Sequence, residues 1–346
     1  MTEHAKETTF MGIERSVTGK WWRERATDER LATTISQRFG VPEIVGRVMA
    51  NRGIGLDDAE SFLSPTLRDL MPDPSSLQDM DMAASRIADA IEKREQMAVF
   101  GDYDVDGATS TALLKRFFRA LGADVPVHIP DRMTEGYGPN APALLELQRK
   151  GANLILTVDC GVTAYGPLQE ARDAGIEVIV VDHHAAEPEL PPAVAVVNPN
   201  RLDDESGLGH LCAAGVAFLL CVAILRELRS RGWLEKAGVR APDLRNWLDL
   251  VALGTVCDVV PLRGLNRAFV TQGLKVMKHR SNIGMTSLAD IAGVNETPSA
   301  YHLGYVLGPR VNAGGRVGES FLGTTLLSGD NPAQAQDIAR KLDEYN

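Results

Sequence analysis

The sequence has few aromatic residues and few cysteines, and it lacks any long apolar run. Phe, Trp and Tyr make up 5% of the 346 residues, which argues against a binding surface tiled with stacked rings. No stretch approaches the roughly 20 apolar residues of a membrane span, so no membrane partner is expected. The segment Met1–Lys20 is polar and mixed in charge, without the apolar core of a signal peptide.

The cysteines form no CxxC pair, and each lies in an apolar or glycine-rich run. A zinc site would need ligands that are closer together in the sequence. The spacing therefore favours reduced, buried thiols and a cytoplasmic location. The four residues are Cys160, Cys212, Cys221 and Cys257.

Acidic residues outnumber basic ones by 46 to 36, so the formal net charge is −10. The average suggests a protein without a nucleic-acid partner, but the charge is unevenly distributed. Between Arg263 and Arg316, seven basic and two acidic residues leave a net charge of +5. Such a local surface suits a polyanionic strand, and binding should be salt-sensitive. For Lys275–Arg280 the alternative is a solvated helix face.

The chain is predicted to contain a mainly helical N-terminal arm and an α/β domain. Residues 1–75 form the arm, with helical spacing over Ala32–Asn51 and a second helix at Leu56–Leu63. Met71–Pro74 breaks the pattern, and from Met80 onward strands alternate with helices, which predicts βαβ units and a parallel sheet flanked by helices. The predicted strands are Met97–Phe100, Val125–Ile129, Leu154–Val158, Val178–Val181 and Ala193–Val197; the predicted helices are Asp81–Arg94, Thr109–Leu121, Ala141–Gln148, Leu168–Ala174, Ala213–Arg231, Asn266–Lys278 and Pro332–Asn346.

Three predicted strands end on acidic or imidazole side chains. Ligands gather at the carboxyl ends of parallel strands, so these groups should converge on one edge of the sheet. If Asp104 and Asp106 lie in an extended segment, both point the same way, and such crowding requires a cation. Oxygen and imidazole ligands suit Mn²⁺ or Mg²⁺ better than zinc, and two such ions suit hydrolysis of phosphate esters. The groups are Asp102, Asp104 and Asp106; Asp159; and Asp182, His183 and His184.

Each group has another interpretation when it is taken alone. The loop Asp102–Gly107 also resembles an EF-hand loop, but no Glu stands at the twelfth position, and it resembles the loop of acyl-phosphate-forming phosphatases. A single Asp at a strand end commonly caps a helix. His183 and His184 could form an ordinary turn. The coincidence of all three groups at successive strand ends favours a shared metal site.

Four motifs resemble, in order and spacing, motifs I to IV of the DHH phosphoesterases. They are Phe100–Ser110, Asp159–Gly161, Val181–His184 and Gly254–Pro261. The runs Ile129–Gly138 and Leu307–Arg316 resemble the branch of this family that degrades single-stranded DNA. The resemblance extends from Leu56 to the C-terminus, and it implies a DHH catalytic domain over residues 76–325. Residues 326–346 would then begin a helix leading to a DHH-associated domain, so we expect the chain to be truncated there.

The resemblance also implies residue roles. Two Mn²⁺ or Mg²⁺ ions would be held by Asp104, Asp106, Asp159, His183 and Asp258, with Asp159 as the bridge. His184 would contact the scissile phosphate, while Asp102 and Asp182 would orient the ligands. Phosphate or DNA contacts are implied for Arg310, Asn312 and Arg132. His210 would either approach the metals and phosphate or serve the entry into the following helix. Phe117, Tyr137 and Tyr301 are candidate stacking residues, although core packing is favoured for Phe117.

The implied activity is metal-dependent 5′-to-3′ exonucleolysis of single-stranded DNA to 5′-mononucleotides, in DNA repair and recombination. A monomer is expected, with a single-strand-binding protein and a helicase as partners. One alternative is a phosphodiesterase for short oligonucleotides or cyclic dinucleotides, against which the block around Arg310 argues. Another is an inactive DNA-binding scaffold, against which the full set of expected ligands argues. Phe100 replaces a histidine of some family members, so one metal site is expected to be weaker.

Overall fold

The computed structural model describes residue 9 and residues 12–23 and 28–346. Two compact units are present, Met1–Pro65 and Thr66–Asn346. Residues 1–8, 10–11 and 24–27 of the predicted arm lie outside the described residues. The division falls earlier than the boundary predicted near residue 75, and the assignment of domains remains a prediction.

Residues 28–65 of the first unit are mainly helical, as predicted for the arm, whereas Thr9 and Arg23 form an isolated antiparallel bridge. The unit contains α1 (Glu29–Phe39), α2 (Glu43–Asn51) and α3 (Leu56–Leu63). The single helical stretch predicted over Ala32–Asn51 is divided in two. Gly40 ends α1 in the left-handed conformation with φ 64°, and Pro42 stands immediately before α2. Glycine in this conformation stops a helix, so the apolar spacing continues across two helices.

The second unit contains a five-stranded, fully parallel sheet in the order β2-β1-β3-β4-β5. The strands are β1 (Met97–Gly101), β2 (Val127–His128), β3 (Leu154–Val158), β4 (Glu177–Val181) and β5 (Ala195–Val197). β2 is shorter than predicted, because Pro126 and Pro130 flank it and proline has no backbone N–H to donate. The predicted fold class, a parallel sheet flanked by helices, is confirmed.

Helices cover both faces of the sheet. Alternate strand residues join different cores: Val99 and Leu156 pack in the larger one, whereas Phe100 and Ile155 pack in the smaller. This alternation follows from the period of two in a strand. The helices are α4 (Leu67–Leu70), α5 (Met80–Lys93), α6 (Val105–Ala120), α7 (Ala141–Arg149), α8 (Tyr165–Asp173), α9 (Ala213–Ser230), α10 (Trp233–Ala237), α11 (Leu248–Cys257), α12 (Gly264–Lys278), α13 (Ile283–Ile291), α14 (Gly308–Arg316), α15 (Phe321–Ser328) and α16 (Pro332–Tyr345), with one π-helical segment at His302–Leu307.

Helix α9 is buried along most of its length and packs against α5, α6 and α11. The predicted central helix Ala213–Arg231 therefore matches this element closely. Phe117 is fully buried on α6, in agreement with a core role. Helix α16 packs against α13, α14 and α15 within the second unit. In the part of the chain that the structure describes, no helix has both the length and the apolar character needed to cross a membrane.

Candidate metal centre

The register of the central strands brings three loops to one level of the sheet edge. Gly101 pairs with Val158, and Val158 pairs with Val181, at the last residues of β1, β3 and β4. The next residue of each strand is an aspartate, and all three are buried: Asp102, Asp159 and Asp182. Parallel strands that end in register place their following side chains together. The structure thus brings together the groups that the sequence places at successive strand ends.

Asp104 and Asp106 do not share an extended segment, so the argument that both point the same way does not hold. Helix α6 begins at Val105 instead of Thr109, because Asp104 caps it: its Oδ1 accepts a hydrogen bond from the Gly107 amide at 3.0 Å. Asp106 lies in the first helical turn. The two carboxylates therefore join different groups of potential ligands.

Three groups of potential metal ligands lie at the sheet edge. Within each group, the ligand atoms are all within 4.8 Å of one another. Asp159 belongs to two groups, and His183 also belongs to two. Such sharing suits two adjacent ions with common ligands. The groups are Asp102, Asp104 and Asp159; Asp106, His183 and Asp258; and Asp159, His183 and His184.

Several polar atoms of this cluster are buried without a hydrogen-bond partner among the described residues. They include Asp102 Oδ1, His183 Nε2 and Asp258 Oδ2. His183 Nε2 lies 3.3 Å from Asp159 Oδ1, and His183 Nδ1 lies 3.7 Å from Asp258 Oδ2. Buried unpaired polar atoms are costly, and divalent cations bound by these ligand groups would give such atoms partners. The donor set, carboxylate oxygens with imidazole, fits Mn²⁺ or Mg²⁺.

The carboxylates carry the electrostatic signature of an ion site. Burial, and then neighbouring carboxylates, raise the pKa of Asp106 to about 8, although Asp106 accepts the Ala213 and Ala214 amides of α9 at 2.6 and 3.0 Å. Burial and Asp104 raise the pKa of Asp102 to about 7 and that of Asp258 to about 6. Without a cation these groups repel one another, and a divalent ion would relieve the repulsion.

The two histidines have different electrostatic environments. Burial lowers the pKa of His183, which keeps the ring neutral, as a metal ligand must be. His184 Nδ1 is hydrogen-bonded to Asp182 Oδ1 at a distance of 2.7 Å. This hydrogen bond raises the pKa of His184. Burial alone would raise the pKa of Asp182, but the hydrogen bonds from His184 and from the Val162 amide outweigh it and lower that pKa. His184 is therefore suited to contact an anion.

Tyrosines at the rim carry roles that sequence reasoning did not assign. The Tyr137 hydroxyl lies 3.3 Å from His184 Nδ1 and 3.3 Å from the Asp159 carbonyl oxygen. Tyr137 also meets Tyr103 edge-on, and the Arg132 guanidinium lies over the Tyr103 ring at 5.3 Å. The sequence indicated Tyr137 only as a stacking residue. Its hydroxyl contact depends on loop geometry that no local pattern specifies.

The other predicted substrate residues are arranged differently. The Arg310 guanidinium donates to Asp343 Oδ1 at 2.7 Å and to the Val306 carbonyl oxygen at 2.8 Å, so α16 and the π-helical segment before α14 occupy it. Asn312 is partly buried, and its side chain makes no hydrogen bond to another described residue. His210 lies outside the three ligand groups. Its Nε2 is buried and unpaired among the described residues, while its carbonyl oxygen accepts Asn266 Nδ2 at 2.6 Å.

Only some of the basic residues between Arg263 and Arg316 are free to bind an anionic strand. Arg280 is paired with Asp290, and Arg310 with Asp343. Arg263 and Arg316 are exposed and form no ion pair within the described part of the chain. The cations open to an anionic strand are therefore fewer than the residue count suggests.

Gly254 on α11 provides a test of the position of Asp106. A Cβ at Gly254 would lie 2.7 Å from Asp106 Oδ1 and 2.5 Å from Thr109 Oγ1. We expect Gly254→Ala to displace Asp106 and to weaken Mn²⁺ binding about 10- to 100-fold, as measured by isothermal titration calorimetry. The control is Gly166→Ala on α8, where a Cβ meets nothing within 4 Å. Wild-type Mn²⁺ affinity in Gly254→Ala would contradict a ligand role for Asp106.

Comparisons with known proteins point to one family. Residues 96–255 match the DHH family, N-terminal domain. The Salmonella typhimurium single-stranded-DNA-specific exonuclease RecJ is 37% identical over 329 residues, which cover 94% of this chain and 55% of that protein. This chain thus spans about half the length of that curated relative.

Solved structures agree with the sequence comparisons. The Thermus thermophilus RecJ in complex with Mn²⁺ aligns with a TM-score of 0.74 at 33% identity, covering 91% of this chain and 43% of that one. The same protein in complex with Mg²⁺ aligns with a TM-score of 0.64 at 31% identity, covering 91% and 40%.

Proposed function

We propose that this chain is a metal-dependent 5′-to-3′ exonuclease of the DHH family, because residues 96–255 match the DHH family, N-terminal domain, and 94% of the chain aligns with RecJ. Its substrate is single-stranded DNA, which it hydrolyses to 5′-mononucleotides in DNA repair and recombination. The observation that carries the proposal is the set of three ligand groups, two of which contain Asp159 and two of which contain His183. Residues 76–325 are proposed as the catalytic domain.

In this proposal the ligands of two Mn²⁺ or Mg²⁺ ions are Asp104, Asp106, Asp159, His183 and Asp258. Bound ions supply activation of water and neutralisation of phosphate charge. Asp159 would be the ligand that both ions share, and its membership of two ligand groups supports this role. The amides at the start of α9 hold Asp106 in place, which limits the reorganisation that the site needs on binding.

The remaining residues act on the phosphate and the strand. Protonated His184, held by Asp182, donates to a phosphate oxygen at the reacting end. Arg132, exposed at the rim, contacts the strand backbone or its 5′ end. Arg310 and Asn312 are retained as phosphate contacts, and Arg310 must then leave Asp343 for the substrate.

Location and partners follow from the proposed substrate. The free cysteines, three of them buried, fit the cytoplasm. An enzyme that requires single strands needs a helicase to unwind duplex and meets a single-strand-binding protein on its substrate. A monomer is the proposed state.

The test of the proposed function is incubation of the chain with 5′-labelled single-stranded DNA and Mn²⁺. Release of labelled mononucleotide is expected, with none after chelation of the metal and little from a blunt duplex. A series of strand lengths, together with a cyclic dinucleotide, separates the exonuclease from an oligonucleotide phosphodiesterase. Preference for the shortest substrates, or equal cutting of duplex, would overturn the proposal.

Asp182→Asn tests the role of the Asp182–His184 pair. Removing the charge of Asp182 removes the main cause that raises the pKa of His184, so the protonated ring is lost at lower pH. We expect kcat to fall about 10- to 100-fold, and the alkaline limb of the pH–kcat profile to move to lower pH.

Asp249→Asn is the matched control for this measurement. Asp249 is also a buried carboxylate, but it lies on α11 and accepts the Leu250 amide. Its replacement should leave the profile unshifted. A wild-type profile for Asp182→Asn would show that His184 does not act as the charged group.

A further inference from the structure

Tyr301 and Tyr305 form an exposed, stacked pair at the π-helical segment His302–Leu307. Their ring centroids are 5.3 Å apart with an interplanar angle of 26°, and the residues are 63% and 75% exposed. Large aromatic side chains usually bury most of their surface. Two neighbouring rings held open to solvent therefore suggest a flat ligand.

The pair is braced from below by His302, which is buried. The His302 ring meets Tyr301 edge-on at 5.8 Å. His302 Nδ1 lies 2.9 Å from Ser299 Oγ, and its Nε2 lies 3.1 Å from Glu296 Oε1. Because the supporting ring is held at both nitrogens, the tyrosine pair is preorganised, which reduces the entropy lost when a ligand stacks on it.

The segment that carries the pair packs directly against the C-terminal end of α11, which Asp258 follows. Cys257, the neighbour of Asp258, donates its thiol to the Leu303 carbonyl oxygen at 3.5 Å. Gly304 faces Val256 so closely that a Cβ would lie 3.2 Å from Val256 Cγ1. The tyrosine pair and the candidate ligand Asp258 are thus carried by two segments that pack against each other.

The segment offers an unpaired cation to an anionic occupant. From residue 297 to residue 318 the sequence contains no Asp or Glu, although Glu296 and Glu319 flank this stretch; its charged residues are Arg310, which is paired with Asp343, and Arg316. Arg316, at the end of α14, is exposed and unpaired among the described residues. Gly315 beside it approaches the Tyr103 carbonyl oxygen, where a Cβ would lie at 2.9 Å, so α14 leads to the rim of the metal centre.

We propose that Tyr301 and Tyr305 form a stacking platform for bases of a single-stranded nucleic acid that extends from the metal centre. This inference rests on the proposed function, because it takes its ligand from the proposed substrate. Every base offers a π face, so the platform accepts any sequence and rejects duplex, whose bases are already stacked. It adds a contact that depends on bases, whereas the arginines contact phosphates.

Binding to two probes of equal length tests the platform: a labelled oligothymidine and an abasic strand with the same phosphates. The full 346-residue chain is titrated by fluorescence anisotropy in chelator, so that no hydrolysis occurs. We expect the double variant Tyr301→Ala, Tyr305→Ala to bind oligothymidine about tenfold more weakly or worse, and to bind the abasic strand as the wild type does.

Two further variants exclude a folding effect. Tyr301→Phe with Tyr305→Phe keeps both rings and should retain oligothymidine affinity. Tyr345→Ala, at an exposed tyrosine of α16, should leave both affinities unchanged. Thermal unfolding of each variant reports on its stability.

The outcomes separate this inference from the proposed function. Ring-dependent binding of bases by a chain that releases no mononucleotide would support the platform and overturn the exonuclease. Nuclease activity with wild-type binding in the double alanine variant would overturn the platform alone. The platform would also be overturned if the double alanine variant bound both probes equally more weakly, or if the wild type did not prefer oligothymidine to the abasic strand. The exposed tyrosine pair would then be a contact surface for a protein partner.

Discussion

Replacement of Asp159 by alanine is expected to reduce metal-dependent hydrolysis of single-stranded DNA by about a thousandfold or more. Asp159 is shared by two of the three ligand groups, so its loss disturbs both proposed ion sites together. Ions in such a site stabilise the transition state by several kcal/mol, and each 1.4 kcal/mol is a factor of about ten in rate. The measurement is mononucleotide release at saturating Mn²⁺, with Mn²⁺ affinity measured in parallel.

Stability provides a second readout for the same residue. Burial and neighbouring carboxylates hold the pKa of Asp159 well above its usual range, so its charge is unfavourable in the folded, metal-free chain. Asp159→Asn should therefore unfold at a higher temperature than the wild type in chelator, and should lose most of the stabilisation that Mn²⁺ provides.

The buried control Asp249→Asn should retain the Mn²⁺-dependent stabilisation, because Asp249 belongs to none of the ligand groups. Strong activity in Asp159→Ala would contradict the assignment of Asp159 as the shared ligand. Undiminished stabilisation by Mn²⁺ in Asp159→Asn would contradict it independently of any nuclease assay.

The metal-free chain is expected to lose stability as the pH rises from about 4 to about 8. Folding raises the pKa of Asp258 to about 6, of Asp102 to about 7 and of Asp106 to about 8, whereas unfolded aspartate titrates near 4. In this window the folded state holds protons that the unfolded state has released, so its stability falls with increasing pH. Asp182, whose pKa is lowered, acts only at the acidic end of the window or below it.

Mn²⁺ should reverse this dependence, because it binds the deprotonated ligands and binds more strongly as they lose protons. The measurement is the thermal unfolding midpoint across the pH range, with chelator and with Mn²⁺. We expect a fall of several degrees with chelator and a flat or rising curve with Mn²⁺.

Asp106→Asn should reduce the fall in chelator, because the pKa of Asp106 is raised further than that of Asp102 or Asp258. A metal-free midpoint that rises between pH 4 and pH 8 would show that the carboxylates are not crowded. A fall that Mn²⁺ leaves unchanged would show that the crowding does not serve a metal ion.

Much of the fold and the location of the site follow from local sequence. Apolar runs such as Leu154–Val158 are buried on both faces in a parallel sheet, and their ends are marked by the change to polar residues. Since every strand of such a sheet presents its carboxyl end to the same edge, Asp102, Asp159 and Asp182 were predicted to converge without knowledge of the strand order. The resemblance to the DHH family added Asp258, which lies after a helix.

The local sequence pattern could not predict which of the candidate ligands belong to the same group. Asp104 caps a helix instead of continuing the strand because its side chain accepts a hydrogen bond from the Gly107 amide. Helix α6 therefore begins at Val105, and Asp104 and Asp106 fall into different ligand groups. Asp106 is held by Ala213 and Ala214, amides of a helix more than 100 residues further along the chain. Long-range hydrogen bonds of this kind leave no periodicity in the sequence.

The sequence by itself determined the kinds of side chain available, the parallel sheet and the edge at which its acidic groups collect, because strand period and strand polarity are local properties. Only the tertiary structure decided which carboxylates lie close enough to form a group of potential ligands, that Tyr137 reaches His184, that Asp343 pairs with Arg310, and that Tyr301 and Tyr305 stack while exposed to solvent. These features depend on the packing of segments distant in the chain, which no spacing of residues encodes.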